Sequence, residues 1–461
     1  MRAHFGTDGV RGVANADLTP ELAFAIGRAG ATALAHESER HRPVIVGRDT
    51  RVSGTMLEAA IVAGITSVGR DVVQVGIVPT PAVARITVAE EAAAGVMISA
   101  SHNPIADNGI KFFGPDGFKL SDALEAEIEG LMEREDLPRP TGTEIGVART
   151  AQNLGRYYYE QLYASGVTLE GLRVVVDAAY GAAYAMAPYA LRKLGADVIE
   201  MHCENDGTRI NVNSGATHLG PLQERVEQLR AQGEGDVVGV AFDGDADRAL
   251  FVDETGAVVS GDHVMFAIAR ALHERGALPH DTVVGTVMSN IGFERALSEL
   301  GITLIRASVG DRYVLERMRA GGYVLGGEQS GHVIDLRRNT TGDGPMTAVT
   351  LFAIMCEKRM RLHDLVREVV VAPQVLVNVR TPHRSVLELA GIREAIAAAE
   401  AELIGTGRLL IRPSGTEPLI RVMAEGDDRT LIEDITARLA RQIEEAAGTL
   451  LSERKVAAGE P

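Results

Sequence analysis

Short β-branched runs alternate with amphipathic segments along the first three quarters of the chain. Three stretches share one order: a strand-like run, a loop of small or polar residues, an amphipathic helix and a second strand. The opening strands are predicted at 44–46, 174–176 and 282–284, and the helices at 55–68, 182–194 and 291–300. Each helix is followed by a glycine of the kind that closes helices: Gly69, Gly195 and Gly301. This rhythm predicts three βαβ units.

The second strands of these units are predicted at 71–75, 197–201 and 303–307. The three units lie more than 100 residues apart, which favours three related domains over a short-period repeat. The C-terminal part differs, with strands predicted at 375–379, 408–412 and 419–424 and helices at 385–403 and 429–447. The tail from Leu451 is expected to fray.

The pattern therefore predicts an α/β protein: three related α/β domains with mixed sheets plus a C-terminal α+β domain, around a central cleft. The predicted domains cover 1–150, 151–255, 256–370 and 371–461. A chain of 461 residues is long enough for several domains of ordinary size.

Composition narrows the class of protein. No apolar run approaches the roughly 18 residues of a membrane span, and the N-terminus lacks the apolar core of a secretion signal. Cys203 and Cys356 have no metal-ligand spacing and are expected to be reduced thiols. We therefore expect a cytosolic protein that does not bind membranes.

The chain carries a formal net charge of −17 and no Lys/Arg cluster. A nucleic-acid-binding protein needs a basic face, so no nucleic-acid partner is expected. An anionic substrate would have to be held by a local positive site, because the overall charge repels it. The sequence leaves open whether the chain forms a homodimer.

The first segment that could take part in catalysis or binding begins with the apolar run at 95–98, which leads into a turn at Asn103-Pro104. Ser101 lies at that strand end, with His102 beside it and Lys111 further along. A serine at a strand end can carry a phosphoryl group if a cation offsets the local charge. The same residues also suit a plain turn.

The second segment places Asp243, Asp245 and Asp247 directly after the apolar strand 237–242. In an extended segment, alternate residues point to one side, so these carboxylates could hold Mg²⁺ or Ca²⁺. An EF-hand loop needs glycine where Arg248 stands and helices where the flanks are strand-like. A solvated acidic loop remains an alternative.

Two further segments combine small residues with polar groups. Glu328 and Ser330, in the glycine-rich stretch 326–332, could bind sugar hydroxyls, although a simple glycine-rich turn also fits. The loop between Arg412 and Arg421 could cradle an anion, although a polar hairpin also fits. The glycine-rich turn at 5–12 adds Arg11, and Thr50-Arg51 is interpreted as structural.

Five motifs occur in one order along the whole chain: FGTDGVRG at 5–12, SASHNP at 99–104, DGDADR at 243–248, GGEQSGH at 326–332 and RPSGTEPLIR at 412–421. Together they resemble the α-D-phosphohexomutase superfamily. Ser99, the stretch VGDRYV at 309–314 and the extended N-terminal motif at 5–15 are similar to the branch that acts on glucosamine phosphates.

The resemblance implies that Ser101 carries the phosphoryl group. It also implies one Mg²⁺ per chain, held by Asp243, Asp245 and Asp247 with an oxygen of the Ser101 phosphate. The catalytic residues that it implies are Ser101, Arg11, His102, Lys111 and Arg248. Some relatives carry histidine where this chain has Asp311, and Lys111 is then the expected general base.

The resemblance further implies that Glu328 and Ser330 bind sugar hydroxyls, with His332 close by. The residues expected to grip the non-transferring phosphate are Arg412, Ser414, Gly415, Thr416 and Arg421.

The implied reaction is an isomerisation between glucosamine 6-phosphate and glucosamine 1-phosphate, which would feed amino-sugar nucleotide and cell-wall precursor synthesis. A hexose or hexosamine bisphosphate would serve as intermediate and activator. The alternatives are the same chemistry on mannose or glucose phosphates and a metal-dependent sugar phosphatase. A non-catalytic phosphosugar sensor is disfavoured because Ser101 and all three aspartates are present.

Overall fold

The computed structural model describes residues 4–6, 8–34, 42–164, 166–414 and 418–458, with side chains up to residue 448. These residues form two compact units. The first holds the described residues up to Met288 together with Leu300–Glu368, and the second holds Ser289–Glu299 and the described residues from Val369 onward. Four β-sheets are present among the described residues, three in the first unit and one in the second.

The first sheet has seven strands in the order β1-β2-β6-β5-β3-β4-β7. Its elements are β1 (Phe5–Gly6), β2 (Gly9–Val13), α1 (Pro20–Leu34), β3 (Val44–Arg48), α2 (Gly54–Ser67), β4 (Val72–Ile77), α3 (Thr80–Ala89), β5 (Ala94–Ile98), β6 (Asp107–Phe113), α4 (Asp122–Met132) and β7 (Ala148–Thr150). Strands β5, β3, β4 and β7 are parallel, whereas β1, β2 and β6 join by antiparallel pairing. Val46, Val96, Ile26 and Ile61 lie in its buried core.

The second sheet has five strands in the order β12-β11-β10-β8-β9. Its elements are α5 (Arg156–Tyr163), β8 (Arg173–Asp177), α6 (Met186–Lys193), β9 (Asp197–Met201), α7 (Gly220–Ala231), β10 (Val237–Phe242), β11 (Ala249–Val252) and β12 (Val258–Val259). Strand β10 pairs parallel with β8 and antiparallel with β11. All six residues of β10 are buried, as expected for an interior strand.

The third sheet has four strands in the order β14-β13-β15-β16, with parallel pairs around β13 and an antiparallel pair at β16. This part of the chain contains α8 (Gly261–Glu274), β13 (Thr282–Thr286), α9 (Ile291–Glu299), β14 (Thr303–Ala307), α10 (Asp311–Gly321), β15 (Leu325–Gly327), β16 (Val333–Asp335), α11 (Gly344–Lys358) and α12 (Leu362–Val366). Helix α9 belongs to the second compact unit.

The fourth sheet is antiparallel, in the order β17-β19-β18. Its elements are β17 (Gln374–Arg380), α13 (Ala390–Glu402), β18 (Gly407–Pro413), β19 (Leu419–Gly426) and α14 (Arg429–Ala458). Val379, Ile420 and Val422 from the sheet and Ile435 and Leu439 from α14 share one buried core. Single-turn 3₁₀ segments complete the described elements at Gly142–Glu144, Gln152–Gly155, Gly215–Thr217, Pro279–Asp281 and Arg384–Glu388.

The predicted α/β class, with mixed sheets and a C-terminal α+β domain, is confirmed, and the three βαβ units contain the predicted helices as α2, α6 and α9. Gly69, Gly195 and Gly301 have φ values of 80°, 105° and 75°, which suits the left-handed residue after a helix. The four domain ranges proposed from the sequence remain predictions. No described helix combines the length and the apolar character needed to cross a lipid bilayer.

Three helix boundaries differ from the prediction. The helix predicted to begin at residue 385 begins at Ala390 as α13, because Arg384–Glu388 forms a 3₁₀ segment. Helix α6 begins at Met186, not at residue 182, because the preceding residues form turns. Helix α14 continues to Ala458, past the predicted end at 447 and into the tail that was expected to fray. The added stretch is rich in good helix formers, and one interior glycine, Gly448, costs only about 1 kcal/mol.

Three interior strands of the first unit, β5, β10 and β15, lead into candidate catalytic and binding segments. Ser101 follows β5, Asp243 follows β10 and Glu328 follows β15. Each of these strands pairs in parallel with a neighbour, so the three segments lie at carboxyl ends of parallel strands. Ligands in α/β proteins bind at such ends.

Candidate active site

The Ser101 hydroxyl and the acidic loop of the second domain meet directly. Ser101 Oγ donates a hydrogen bond to Asp243 Oδ2 over 2.6 Å. Both residues are buried, with 1% and 0% of their surface exposed. The Nδ1 atom of His102 lies 3.3 Å from the same hydroxyl. The serine and the carboxylates that the sequence placed in one site therefore share one site.

The three aspartates form a cluster suited to a metal ion. Asp243, Asp245 and Asp247 are buried, and each offers a ligand atom within 4.8 Å of the others. Oδ1 of Asp245 and Oδ1 of Asp247 are buried and have no hydrogen-bond partner among the described residues. Burial raises the pKa of Asp243 well above its usual value, and the charges of Asp247 and Asp245 raise it further. Three hard oxygen donors that repel one another fit a cation such as Mg²⁺.

The way in which these carboxylates converge differs from the prediction. The sequence suggested an extended segment with all three side chains on one side. The loop is instead a turn, and Ala246 adopts a left-handed conformation with φ 55°. A turn brings the three carboxylates closer than an extended strand, where alternate residues stand well apart along the chain.

Lys111 supplies positive charge to the cluster from strand β6. Its Nζ lies 2.9 Å from Asp245 Oδ2, 3.0 Å from Asp8 Oδ2 and 3.7 Å from Asp247 Oδ2. Burial alone would lower the pKa of Lys111, but these carboxylates outweigh burial and raise it. The lysine is therefore an ammonium ion in this arrangement.

Two arginines contact residues next to the serine and in the acidic cluster. Arg11 forms an ion pair with Asp8 and donates to Asn103 Oδ1 over 3.3 Å. Arg248 Nε lies 3.9 Å from Asp243 Oδ2 and 3.8 Å from Asp247 Oδ1. Burial, together with the charges of Arg248 and Arg11, lowers the pKa of His102 to about 4. His102 is therefore neutral near pH 7 and acts beside Ser101 as a polar neighbour without charge.

The loop after β15 contributes groups from the third domain. Glu328 Oε1 accepts a hydrogen bond from the Gly310 amide over 3.0 Å, and Oε2 accepts from Ser330 Oγ over 3.2 Å. The Gly261 amide donates to the Gln329 carbonyl over 2.9 Å, which anchors the loop to the start of α8. The loop thus holds a fixed carboxylate and hydroxyl pair.

His332 links this loop to the acidic cluster. Its Nδ1 lies 3.6 Å from Asp247 Oδ2, and its Nε2 lies 3.6 Å from Asp311 Oδ2. Burial would lower the pKa of His332, but Asp247 and Asp311 outweigh it and raise the pKa. The three segments of the first unit therefore converge on one charged cluster.

Sequence reasoning missed part of this cluster. Lys119 Nζ lies 2.5 Å from Asp8 Oδ1 and also forms an ion pair with Asp311. Burial would raise the pKa of Asp8, but Lys111, Lys119 and Arg11 outweigh it and hold the pKa well below its usual value. Asp8 lies within the N-terminal motif, which was the available signal, whereas Lys119 belongs to none of the five motifs.

Arg51 braces the loop that carries Ser101. Its Nη2 donates to the carbonyls of Ser101 (3.0 Å) and Asn103 (2.8 Å), and its Nη1 donates to those of Pro104 (2.6 Å) and Asp107 (3.0 Å). Its Nε bonds Asp49 Oδ2 over 3.0 Å. All five guanidinium protons are thus used by a side chain with 1% exposure. The sequence interpretation of Arg51 as structural did not identify this target.

The brace accompanies an unusual backbone. Ser101 has φ 53°, a left-handed conformation that is costly for a residue with a side chain. Asn211 Nδ2 adds a hydrogen bond to the Ser101 carbonyl over 2.8 Å. A Cβ atom at Gly244 would lie 2.5 Å from that carbonyl, so glycine is required there. The left-handed conformation is thus held by contacts from two domains.

The fourth sheet carries the predicted anion cradle within the second unit. Arg412 on β18 lies directly opposite Arg421 on β19. Burial and the neighbouring Arg421 charge lower the pKa of Arg412. The buried Ser414 accepts a hydrogen bond at its carbonyl from Arg384 Nη2 over 2.8 Å. Gly415 and Thr416 lie outside the described residues. Two adjacent guanidinium groups are suited to bind a phosphate.

Comparison with protein families matches four consecutive domains of the phosphoglucomutase/phosphomannomutase family. Its alpha/beta/alpha domains I, II and III match residues 2–139, 156–256 and 260–372, and its C-terminal domain matches residues 376–442.

Curated relatives match over nearly the full length. A phosphoglucosamine mutase of a Thermoanaerobacter species is 52% identical over 450 residues, covering 96% of this chain and 99% of that protein. The phosphoglucosamine mutase of Oceanobacillus iheyensis is 50% identical over 451 residues, covering 97% of this chain and all of that protein.

Solved structures share the fold. A phosphoglucomutase/phosphomannomutase family protein from Burkholderia thailandensis superposes with a TM-score of 0.81 at 23% identity, covering 97% of this chain and 98% of that one. The N-acetylphosphoglucosamine mutase of Aspergillus fumigatus, solved with GlcNAc-6P and magnesium, has a TM-score of 0.65 at 19% identity, with 96% of each chain covered.

The brace predicts a local effect of Arg51→Lys. Lysine keeps the charge but cannot reach four carbonyls, and each lost charge-assisted bond contributes about 1.5–3 kcal/mol. We expect amide hydrogen exchange at residues 99–103 to accelerate about tenfold or more. Arg173→Lys, at a partly exposed ion-paired arginine on β8, is the matched control and should leave these amides unchanged. Unchanged exchange in Arg51→Lys would show that the loop holds its shape without the brace.

Proposed function

The chain belongs to the phosphoglucomutase/phosphomannomutase family, and we propose that it interconverts glucosamine 6-phosphate and glucosamine 1-phosphate through a phosphorylated Ser101. The observation that carries this proposal is the 2.6 Å hydrogen bond between Ser101 Oγ and Asp243 Oδ2, inside the buried acidic cluster. It joins a hydroxyl that can accept a phosphoryl group to a site that can hold a cation. The enzyme is accordingly an isomerase that acts by phosphoryl transfer.

The glucosamine assignment is supported by the relatives. Proteins that are 49–52% identical over almost the entire chain carry the name phosphoglucosamine mutase. Ser99, which the sequence resemblance associates with that branch, also has a local role here. Its hydroxyl accepts a hydrogen bond from the Ser101 amide over 2.9 Å and donates one to Asp49 Oδ2 over 2.6 Å.

We propose Mg²⁺ as the cofactor, one per chain, held by Asp243, Asp245 and Asp247 with an oxygen of the Ser101 phosphate. The buried Oδ1 atoms of Asp245 and Asp247, which accept no hydrogen bond from any described residue, support this fit. When bound, Mg²⁺ offsets the charge of the phosphoryl group during transfer. Oxygen-only donors disfavour zinc and copper, which prefer nitrogen and sulfur ligands.

The transfer itself demands positioning and charge compensation more than covalent chemistry from the protein. In the forward step, the bond between Ser101 Oγ and phosphorus breaks while a free sugar hydroxyl bonds the same phosphorus. The sugar hydroxyl gives its proton to a base, Ser101 Oγ takes up a proton as it leaves phosphorus, and the product is a hexosamine bisphosphate. In the return step the other phosphate of this intermediate moves to Ser101, which restores the phosphoenzyme and completes the isomerisation.

Lys111 stays the predicted base for that proton. Asp245, Asp8 and Asp247 raise the pKa of Lys111, so a cation bound at the acidic cluster would lower it. Arg11 and Arg248 stand beside Ser101, where they would hold the transferring phosphoryl oxygens. His102, which is neutral, would donate or accept a hydrogen bond at the same phosphate without adding charge.

The remaining residues are proposed to hold the substrate. Glu328 and Ser330 offer acceptors and a donor for sugar hydroxyls, and His332 is proposed to bind substrate with them. Arg412, Ser414, Gly415, Thr416 and Arg421 are proposed to bind the phosphate that is not transferred. This grip should depend on charge more than on sugar geometry, because it must accept a phosphate from either end of the sugar.

A cytosolic location remains a prediction, and the sequence leaves open whether the chain forms a homodimer. Cys203 and Cys356 are free thiols, which suits a reducing compartment.

Ser101→Ala is expected to reduce mutase turnover by on the order of 10⁴-fold or more, since the nucleophile that carries the phosphoryl group is lost. The measurement is a coupled assay on glucosamine 6-phosphate with Mg²⁺ and a catalytic amount of glucosamine 1,6-bisphosphate. Ser121→Ala, which removes the N-cap hydroxyl of α4, is the control and should keep full turnover. Near-normal turnover in Ser101→Ala would refute the carrier assignment.

The same assay separates the alternative functions. A higher kcat/KM on glucose or mannose phosphates than on glucosamine 6-phosphate would identify a hexose-specific mutase. Release of inorganic phosphate at the rate of substrate loss would identify a phosphatase.

Arg421→Ala is expected to weaken binding of glucosamine 6-phosphate by about 10- to 100-fold, because one charge-assisted contact contributes about 1.5–3 kcal/mol. Titration calorimetry measures the effect. The control is Arg429→Ala in the same unit, where an exposed arginine pairs with Glu433 over 2.9 Å. Equal affinity in the Arg421 variant and the control would exclude Arg421 from the cradle.

A further inference from the structure

We propose that Thr80 is a positioning residue that fixes which oxygen of Asp245 faces the metal. The inference rests on the proposed metal site. Thr80 is the first residue of α3 and is fully buried. Its Oγ1 donates a hydrogen bond to Asp245 Oδ2 over 2.6 Å, and its amide donates to the Asp245 carbonyl over 2.9 Å. Thr80 thus binds both the side chain and the backbone of one aspartate.

The two oxygens of Asp245 have opposite surroundings. Oδ2 accepts from Thr80 Oγ1 and also from Lys111 Nζ over 2.9 Å. Oδ1 is equally buried and has no hydrogen-bond donor in the part of the chain that the structure describes. A buried carboxylate oxygen without a donor is costly unless a cation binds it. Oδ1 is therefore the oxygen left for the metal, and Oδ2 is held in place by protein donors.

Lys111 alone cannot impose this choice. An ammonium group on a flexible stem has three equivalent donors, and it can bond either oxygen of a carboxylate after a small rotation. The Thr80 hydroxyl has one proton and a stiff χ1, and its backbone is tied to the same residue. Removal of the hydroxyl would leave Oδ2 with one mobile partner, so the carboxylate would lose its fixed orientation.

The position of Thr80 suits this role. The flanking residues Pro79 and Pro81 have fixed φ angles, which restrains the backbone at the start of α3. The Pro81 carbonyl accepts a hydrogen bond from Asn339 Nδ2 of the third domain over 3.2 Å. Thr80 therefore presents its hydroxyl to the metal loop of the second domain from a restrained point on the first.

Thr87 provides a matched control within the same helix. It is also fully buried, but its Oγ1 donates to the Val83 carbonyl of its own helix over 2.8 Å. Thr87→Val and Thr80→Val therefore remove the same group from the same element. A general effect of losing a buried hydroxyl should appear in both variants. Weaker metal binding should appear only in Thr80→Val.

The test measures Mn²⁺ binding to the full-length, dephosphorylated protein by electron paramagnetic resonance of free Mn²⁺. We expect Thr80→Val to weaken Mn²⁺ binding about 10-fold or more, as loss of a group that orients a metal ligand does. Thr80→Ser, which keeps the hydroxyl, should bind within about threefold of wild type, and Thr87→Val should bind as wild type. Thr80→Ala, without the added methyl group, should repeat the loss seen in Thr80→Val.

Two results would overturn the inference. Wild-type affinity in both Thr80→Val and Thr80→Ala would show that Asp245 is oriented without the hydroxyl, while the proposed metal site would stand. An equal loss in Thr87→Val would mean that the effect is not specific to Asp245. Absence of Mn²⁺ binding in the wild type, matching Asp245→Ala, would refute the metal site and this inference together.

Discussion

Mutual repulsion among three buried carboxylates is the constraint around which this molecule is organised. Removing each carboxylate from water costs several kcal/mol. Repulsion among three carboxylates whose ligand atoms lie within 4.8 Å of one another adds to that cost. Lys111 and Arg248 offset part of the charge, but the Oδ1 atoms of Asp245 and Asp247 still have no donor among the described residues. The loop is therefore folded into an arrangement suited to a divalent cation, and the Ser101 hydroxyl donates a hydrogen bond to Asp243 within it.

The fold meets this constraint by joining three domains at one point. Each of three interior strands ends in a loop with a different kind of group. The loop after β5 carries a hydroxyl, the loop after β10 carries the carboxylates, and the loop after β15 carries a carboxylate and hydroxyl pair. Ion pairs then connect the loops, through Lys111 to the second domain and through Lys119 and His332 to the third. Arg51 and Thr80 add rigidity, so the reacting groups stand in place before substrate binds.

The sequence predicted those parts of the site that depend on contiguous motifs. Ser101 and the three aspartates each follow an apolar strand, and that local pattern was enough to place them at strand ends. Hydrogen-bond partners that are distant in sequence were not predictable. Lys119 bonds Asp311 and Thr80 bonds Asp245, and more than 150 positions separate the residues of each pair. The left-handed turn at Ala246 also escaped prediction, because alanine gives no signal of a positive φ.

The central claim is that the Ser101 hydroxyl shares a metal ion with the acidic cluster. The most direct measurement is the ³¹P NMR signal of the protein phosphorylated at Ser101, recorded with one equivalent of Mg²⁺ and then with one equivalent of Mn²⁺. Paramagnetic Mn²⁺ broadens a phosphorus nucleus only at short range, so the account predicts a sharp signal with Mg²⁺ that disappears with Mn²⁺. It also predicts that the signal survives Mn²⁺ in Asp245→Ala. A phosphoserine signal that stays sharp when wild-type protein is saturated with Mn²⁺ would contradict the account.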